Sequence, residues 1–211
     1  MFRCLDPFVL AGGPLVVEAE LESPDRPAEH LAVVADRARQ RPADFSFAAS
    51  VGDGVTLRDP FADAPVLGGP ATTFDLSTGL PLRQRLLVNQ YLDLERAGDR
   101  LRPGETSLLL LSCRRRVAFD RDPLAAIAAG DAPIAEVVLR IPVRRDDAAL
   151  ATLVDELAAR AQTDAAEREG ALTTLIALRN PAALRHLREL ADDPAPDVAV
   201  RAAAAVRAFD R

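Results

Sequence analysis

The last third of the chain repeats itself. Asp164, Arg168 and Ala171 recur as Asp197, Arg201 and Ala204, and Val154, Leu157 and Ala158 recur as Leu187, Leu190 and Ala191, all at a spacing of 33 residues. Two sets in one register predict two helices per period. A unit of that kind buries its apolar stripe only against a neighbour, and such stacks are scaffolds far more often than catalysts.

Local signals place four helices in this region. Asp146 or Asp147 is positioned to cap a first helix whose stripe is Leu150, Leu153, Val154 and Leu157, the i, i+3, i+4, i+7 pattern of one face. A second begins near Asp164, carries Ala171, Leu172, Leu175 and Leu178, and ends at Asn180-Pro181. Pro181 suits the first turn of a third helix through Leu184, Leu187 and Leu190. The run Asp193-Pro194-Ala195-Pro196-Asp197 breaks it, and a fourth spans about Val198 to Phe209.

The first two thirds read as β. Leu15, Val17, Ala19 and Leu21 alternate with Glu18 and Glu20, the period of a half-buried strand. His30 to Gln40 reads as a short helix, although Leu31 to Val34 fits a strand equally well. Phe45 and Phe47 lead into a hairpin turn at Val51-Gly52-Asp53-Gly54, with Val55 to Leu57 returning. Thr72 to Leu76, Gln84 to Leu94, Glu105 to Cys113 and Val137 to Val143 are further strand candidates. Between the last two, Phe119 to Pro133 is expected to cross a sheet edge. Short strands joined by Gly/Pro turns predict an antiparallel immunoglobulin-like β-sandwich over residues 1–145. Followed by the helical stack over 146–211, this makes a multidomain α+β chain.

Charge and composition narrow the function classes. The 211 residues carry a net charge of −6, and all 26 basic residues counted as Lys+Arg are arginines. Abundant Ala, Arg, Pro and Asp, with Asn only at Asn89 and Asn180, points to GC-rich coding rather than to an arginine-dependent activity. An acidic chain is repelled by phosphate backbones, so nucleic acid is not an expected partner. The apolar runs Leu108 to Leu111 and Val137 to Leu139 fall far short of the roughly 20 residues that cross a bilayer. The start lacks an uninterrupted apolar region, so the chain as written reads as cytoplasmic, or as exported if a signal has been removed. Cys4 and Cys113 lack zinc or redox spacing. They read as two buried thiols, or as one disulfide in an oxidising compartment.

From Leu187-x-x-Leu190-Ala191-Asp192-Asp193-Pro194 and Val200-Arg201-Ala202-Ala203-Ala204, residues 148–211 resemble HEAT repeats. The resemblance implies stacked polar pairs between repeats, here Arg201 with Asp197 and Arg168 with Asp164. The segment Leu86 to Leu94, a Pro/Gly turn and then Ser112-Cys113-Arg114 resemble the all-β region that precedes such helices in uncharacterised bacterial HEAT-repeat proteins. Arg100 to Gly104 departs from that pattern around the turn. The resemblance implies an architecture without an activity, and export, which is usual in that group.

Motifs for chemistry are absent. There is no Gly-x-Ser-x-Gly elbow, and a chain without lysine has no P-loop of the usual form. His30 and His186 sit in no motif and read as surface or packed residues. Asp53, Asp59 and Asp63 share a loop whose oxygens suit calcium in type, but the spacing is not that of an EF-hand, so a solvated loop is expected. Arg114-Arg115-Arg116 reads as a solvated strand end that discourages strand addition rather than as an anion site. Gly68-Gly69 reads as a turn, and Arg179, Arg185 and Arg188 as a solvated helix face. No catalytic, cofactor-binding or metal-ligating residue is assigned. The sequence therefore predicts a non-enzymatic protein-interaction or scaffold module with a protein partner. The alternatives are a structural domain of an exported or envelope assembly, and a small-ligand or enzyme site at the domain junction.

Overall fold

The computed structural model describes residues 1–21, 29–36, 41–52, 55–60, 71–76, 81–98, 101–116, 134–163 and 166–209. The chain divides into two compact units, each assembled from separate stretches. The first holds Met1–Pro7, Val16–Leu92 and Leu108–Ile141, and the second Phe8–Leu15, Asp93–Ser107 and Pro142–Arg211. The expected cut at residue 145 into two contiguous pieces is thus replaced by an interleaved arrangement.

The first unit is built on strands. β1 (Phe2–Cys4), β3 (Val16–Leu21) and β9 (Leu82–Leu87) form a three-stranded antiparallel sheet in the order β1-β3-β9. Alternation in β3 works as the sequence suggests. Val17 and Ala19 face the core, and the other face carries cross-strand partners of opposite charge. Arg3 lies opposite Glu18 and Glu18 opposite Arg85, while Glu20 lies opposite Arg83, the pairing that stabilises neighbouring strands. The Arg3 Nε donates to Glu18 at 2.9 Å and the Arg83 Nε to Glu20 at 2.8 Å. Hydrogen bonding from Arg3 holds the Glu18 carboxyl below its ordinary range.

A second sheet has the order β2-β11-β10-β6-β7, with β2 at Val9–Leu10, β6 at Phe45–Val51, β7 at Val55–Arg58, β10 at Thr106–Arg116 and β11 at Ile134–Arg144. β6 pairs antiparallel with both β7 and β10, and Gly52, with φ of +54°, supplies the left-handed turn residue between β6 and β7. Phe45, Phe47, Ala49 and Val51 of β6 and Leu109, Leu111 and Cys113 of β10 all point to the core. Phe2 meets Phe45 edge-on, with ring centroids 6.2 Å apart. A third sheet, β5-β4-β8, joins Arg41–Pro42, Glu29–Asp36 and Ala71–Leu76. Of the two readings open for the segment from His30, the strand over Leu31 to Val34 is the one found, as β4, whose Val33-Val34 pair favours extended backbone, while residues 37–40 lie outside the described residues.

The expected fold class is overturned. β2 runs parallel to β11, with Val9 opposite Val143 and Leu10 opposite Arg144. The five-stranded sheet is therefore mixed, and the described residues form a mixed α/β architecture with sheets of three and five strands and four helices longer than one turn, not an immunoglobulin-like sandwich. Hydrophobic alternation fixes which face of a strand is buried and says nothing about the direction of its neighbour. β2, only two residues long, is also too short to show a period.

The second unit is organised by helices α2 (Asp147–Thr163), α3 (Arg168–Leu178), α4 (Pro181–Leu190) and α5 (Pro196–Phe209), after a single-turn α1 at Glu95–Gly98. Asp146 caps α2 by accepting from the Ala149 N–H at 3.1 Å. Successive helices pair, α2 with α3 and α4 with α5, and the pairs stack, α2 against α4 and α3 against α5. Leu172, Leu175, Leu178, Leu187 and Leu190 form the centre of one apolar cluster with Val154, Ala183, Val198 and Ala202. Each such leucine contributes roughly 1.5–3 kcal/mol of burial.

The remaining pieces of this unit are tied to the helices by backbone. The Arg145 N–H donates to the Glu105 carbonyl at 2.9 Å, the Gly104 N–H to the Arg145 carbonyl at 2.8 Å, and the Arg145 guanidinium to the Leu101 carbonyl at 2.8 Å. Asn180 caps α4 through its side-chain oxygen and donates its amide to the Gly12 carbonyl.

Candidate functional site

Strand parity makes the outer face of the five-stranded sheet the candidate. In β10, Leu109, Leu111, Cys113 and Arg115 are buried, so Leu108 and Leu110 necessarily project outward, where they are 41% and 38% exposed. On β11, the neighbouring strand, Val138 is 58% exposed. It shares a face with Glu136, whose carboxylate accepts from the Ser112 hydroxyl at 2.7 Å and pairs with Arg114 at 3.1 Å. The Ser112 hydrogen bond first, and Arg114 second, hold Glu136 below the usual carboxylate range. Leu108, Leu110 and Val138 thus form an exposed apolar patch beside a fixed polar group.

Beneath this face lie two buried ion pairs. Arg115 donates to Asp44 at 3.1 Å and to the Gln84 side chain at 2.8 Å, with its guanidinium 4.7 Å above the Phe45 ring. Burial pushes Asp44 up to about 6, against the pull of Arg115, and burial also lowers Arg115. Arg41 donates to Asp59 at 3.0 Å and lies 4.3 Å from the centre of the Tyr91 ring, while the Tyr91 hydroxyl donates to the Pro42 carbonyl at 2.9 Å. These arginines hold strands together from within. The triple-arginine run is therefore not uniformly solvated. Arg114 is exposed, whereas Arg115 is 3% exposed, because adjacent strand residues point to opposite faces.

In the helical unit, two polar clasps join the hairpins. The Asp155 carboxylate of α2 takes Arg185 at 2.9 Å and the His186 Nε2 at 2.7 Å from α4, and the His186 Nδ1 lies 3.1 Å from Glu189. From α5, Arg201 pairs with Glu169 of α3 and donates to Thr173 at 2.9 Å. Arg201 therefore reaches across to the preceding hairpin, where the resemblance to HEAT repeats implied Asp197 as its partner. Arg168 donates to the Gln162 carbonyl at 3.1 Å, while its expected partner Asp164 lies outside the described residues.

Several other sequence expectations also fall outside them, namely Asp53, Asp63, Gly68, Gly69 and the Phe119 to Pro133 connection. Asp59 is no solvated ligand but the buried partner of Arg41. Cys4 and Cys113 are free thiols. Arg179 is exposed and left-handed at the end of α3, and Arg185 and Arg188 are exposed on α4. Among the described residues, no group of His, Cys, Asp and Glu is placed to hold a metal ion, and no helix is long and apolar enough to cross a membrane. The patch is hidden in the apolar run Leu108 to Leu111, where four leucines in succession show no alternation and so do not mark which pair points outward.

No protein-family model matches the sequence, and no curated protein matches it. Among solved structures, the crystal structure of the E. coli chaperone DraB is similar at 13% identity and a TM-score of 0.23, over 71% of this chain and 56% of that one. The chain thus spans little more than half the length of that chaperone.

Proposed function

We propose that this chain is a non-enzymatic protein-interaction module that offers the Leu108, Leu110 and Val138 face to a protein partner. The observation that carries this reading is the exposure of three large aliphatic side chains on two adjacent strands. Covering such side chains is favourable by roughly 1–2 kcal/mol each. In the same reading the four helices are two HEAT-like hairpins. The 33-residue spacing supports this, as do the clasps Asp155 to His186 and Glu169 to Arg201, which link equivalent helices of successive hairpins. Their role is to carry the module rather than to catalyse.

The test is site-specific photo-crosslinking in the source cells, with the crosslinker at position 110 or 138 and a control at exposed Glu156 of α2. Discrete adducts from 110 and 138, lost when Leu108 is replaced by Asp and absent from the control, are the expected result. Equal yields from all three positions, or none, would remove the basis for an interface on this face.

A further inference from the structure

The geometry points to a second copy of this chain as an occupant of the β11 edge, paired antiparallel about Val138; this rests on the interaction reading above and names its partner. Among the described residues, β11 has β10 on one side, and on the other only β2, which pairs with it at Val143 and Arg144. Upstream of that short pairing, Ala135, Glu136, Val137 and Val138 are exposed in succession. Consecutive strand residues face opposite ways, so both faces of the strand are open there. A strand edge that has no backbone partner among the described residues and carries valine on both faces is a template for strand addition.

The sequence of the edge is self-complementary. Antiparallel pairing centred on Val138 places Val138 against its own copy, Val137 against Leu139, and Glu136 against Arg140. The charges then fall opposite each other twice, once on each side of the axis, as a twofold interface requires. Arg140 is exposed and makes no ion pair or hydrogen bond among the described residues. Glu136 already carries Arg114 on one side, so Arg140 of the second copy completes an Arg–Glu–Arg row across three strands. The chain builds such a row elsewhere, with Arg3, Glu18 and Arg85 in register across β1, β3 and β9. Parity is preserved as well. Val138 of both copies lies on the outer face, which extends the Leu108 and Leu110 patch into one continuous apolar surface.

A single pair of strand edges is a small interface, so dimerisation belongs in the micromolar range. Sedimentation equilibrium of the full chain from about 5 to about 200 µM is expected to show a monomer–dimer equilibrium. E136R and R140E each set like charges opposite one another and are expected to weaken the dimer at least about tenfold, the equivalent of 1.4 kcal/mol. Mixing the two variants restores opposite charges at both positions and is expected to recover a dimer, with circular dichroism confirming that each variant is folded. A chain that stays monomeric throughout, or a dimer indifferent to single reversal and to mixing, overturns the inference. Adducts to another protein at position 110 from a strictly monomeric chain would sink the self-pairing while leaving the interaction reading standing. Absence of both adducts and dimer would sink the two together.

Discussion

The side chain of Asn180 holds α4 with one end and Gly12 with the other. Its oxygen accepts from the Ala183 N–H at 2.8 Å and its amide donates to the Gly12 carbonyl at 3.2 Å, across 168 residues of sequence. The residue is 3% exposed, so neither group has water to fall back on. Asn180→Ala removes a cap and leaves a buried carbonyl and N–H unmet, and is expected to destabilise the fold by about 2–3 kcal/mol. Asn180→Asp keeps the cap but sets a buried carboxylate oxygen against the Gly12 carbonyl, and should cost at least as much as Ala at neutral pH. Urea unfolding of the three proteins orders them; a loss under about 0.5 kcal/mol for the Ala variant would show that the contact does not matter.

Immediately before Asn180, Arg179 closes α3 with φ of +51°. A side chain in the left-handed region is strained, and glycine is the residue that relieves it. Arg179→Gly is expected to leave stability unchanged or raise it by up to about 1 kcal/mol, where glycine at most exposed positions lowers it. A thermal melt compared with Arg188→Gly, inside α4, reads the contrast directly.

These two positions show what the sequence made legible. Asn180-Pro181 announced a helix boundary because capping chemistry is local, and the leucine stripe from Leu172 to Leu190 announced the packing because its period is local too. The same holds for the hairpin at Gly52. Direction and partnership are not local. Nothing near Val9 or Val143 indicates that their strands run parallel, and nothing near Arg115 indicates Asp44 as its partner, 71 residues away. Arg201 illustrates the boundary between the two cases. Its repeat position suggested a polar pair, which it makes, but with Glu169 of the neighbouring hairpin, a choice set by how helices stack.

Asp44 gives the fold a pH dependence of defined sign. Its carboxyl titrates at about 6 in the folded chain against 3.8 ordinarily, so the folded state binds the proton more tightly. Stability from this group is greatest below the ordinary value and falls as pH rises through the window from about 4 to about 6. Asp44→Asn abolishes that contribution. The stability difference between Asn variant and parent should therefore move in favour of the variant as pH rises from 4 to 7, by up to about 3 kcal/mol. Denaturation at a series of pH values that gave parallel curves would refute it. Arg115→Met, which strips the buried carboxylate of its cation, should raise the Asp44 carboxyl further and extend the same dependence to higher pH.

Burial pushes the Cys113 thiol up to about 12, with Cys4 beside it adding to the shift, while the half-buried Cys4 is raised less. Only the thiolate is nucleophilic, and a rise from 9 to about 12 cuts its population about a thousandfold. In native buffer at pH 8, Cys4 should react with a thiol reagent well before Cys113, which should react only on unfolding. Mass spectrometry of briefly labelled protein distinguishes the sites, and equal labelling of both would contradict the burial.

The interleaving of the two units has a consequence for how such a chain is made and altered. Because Gly12 belongs with the helices and Leu101 to Glu105 with Arg145, the helices are not a cassette that recombination could add or remove at residue 145. A fragment starting there would lack the carbonyls that Asn180 and Arg145 hold. During synthesis Phe8–Leu15 leaves the ribosome long before the helices with which it groups, so that unit closes only after those helices have emerged. Residues Phe8–Leu15 must stay available until then.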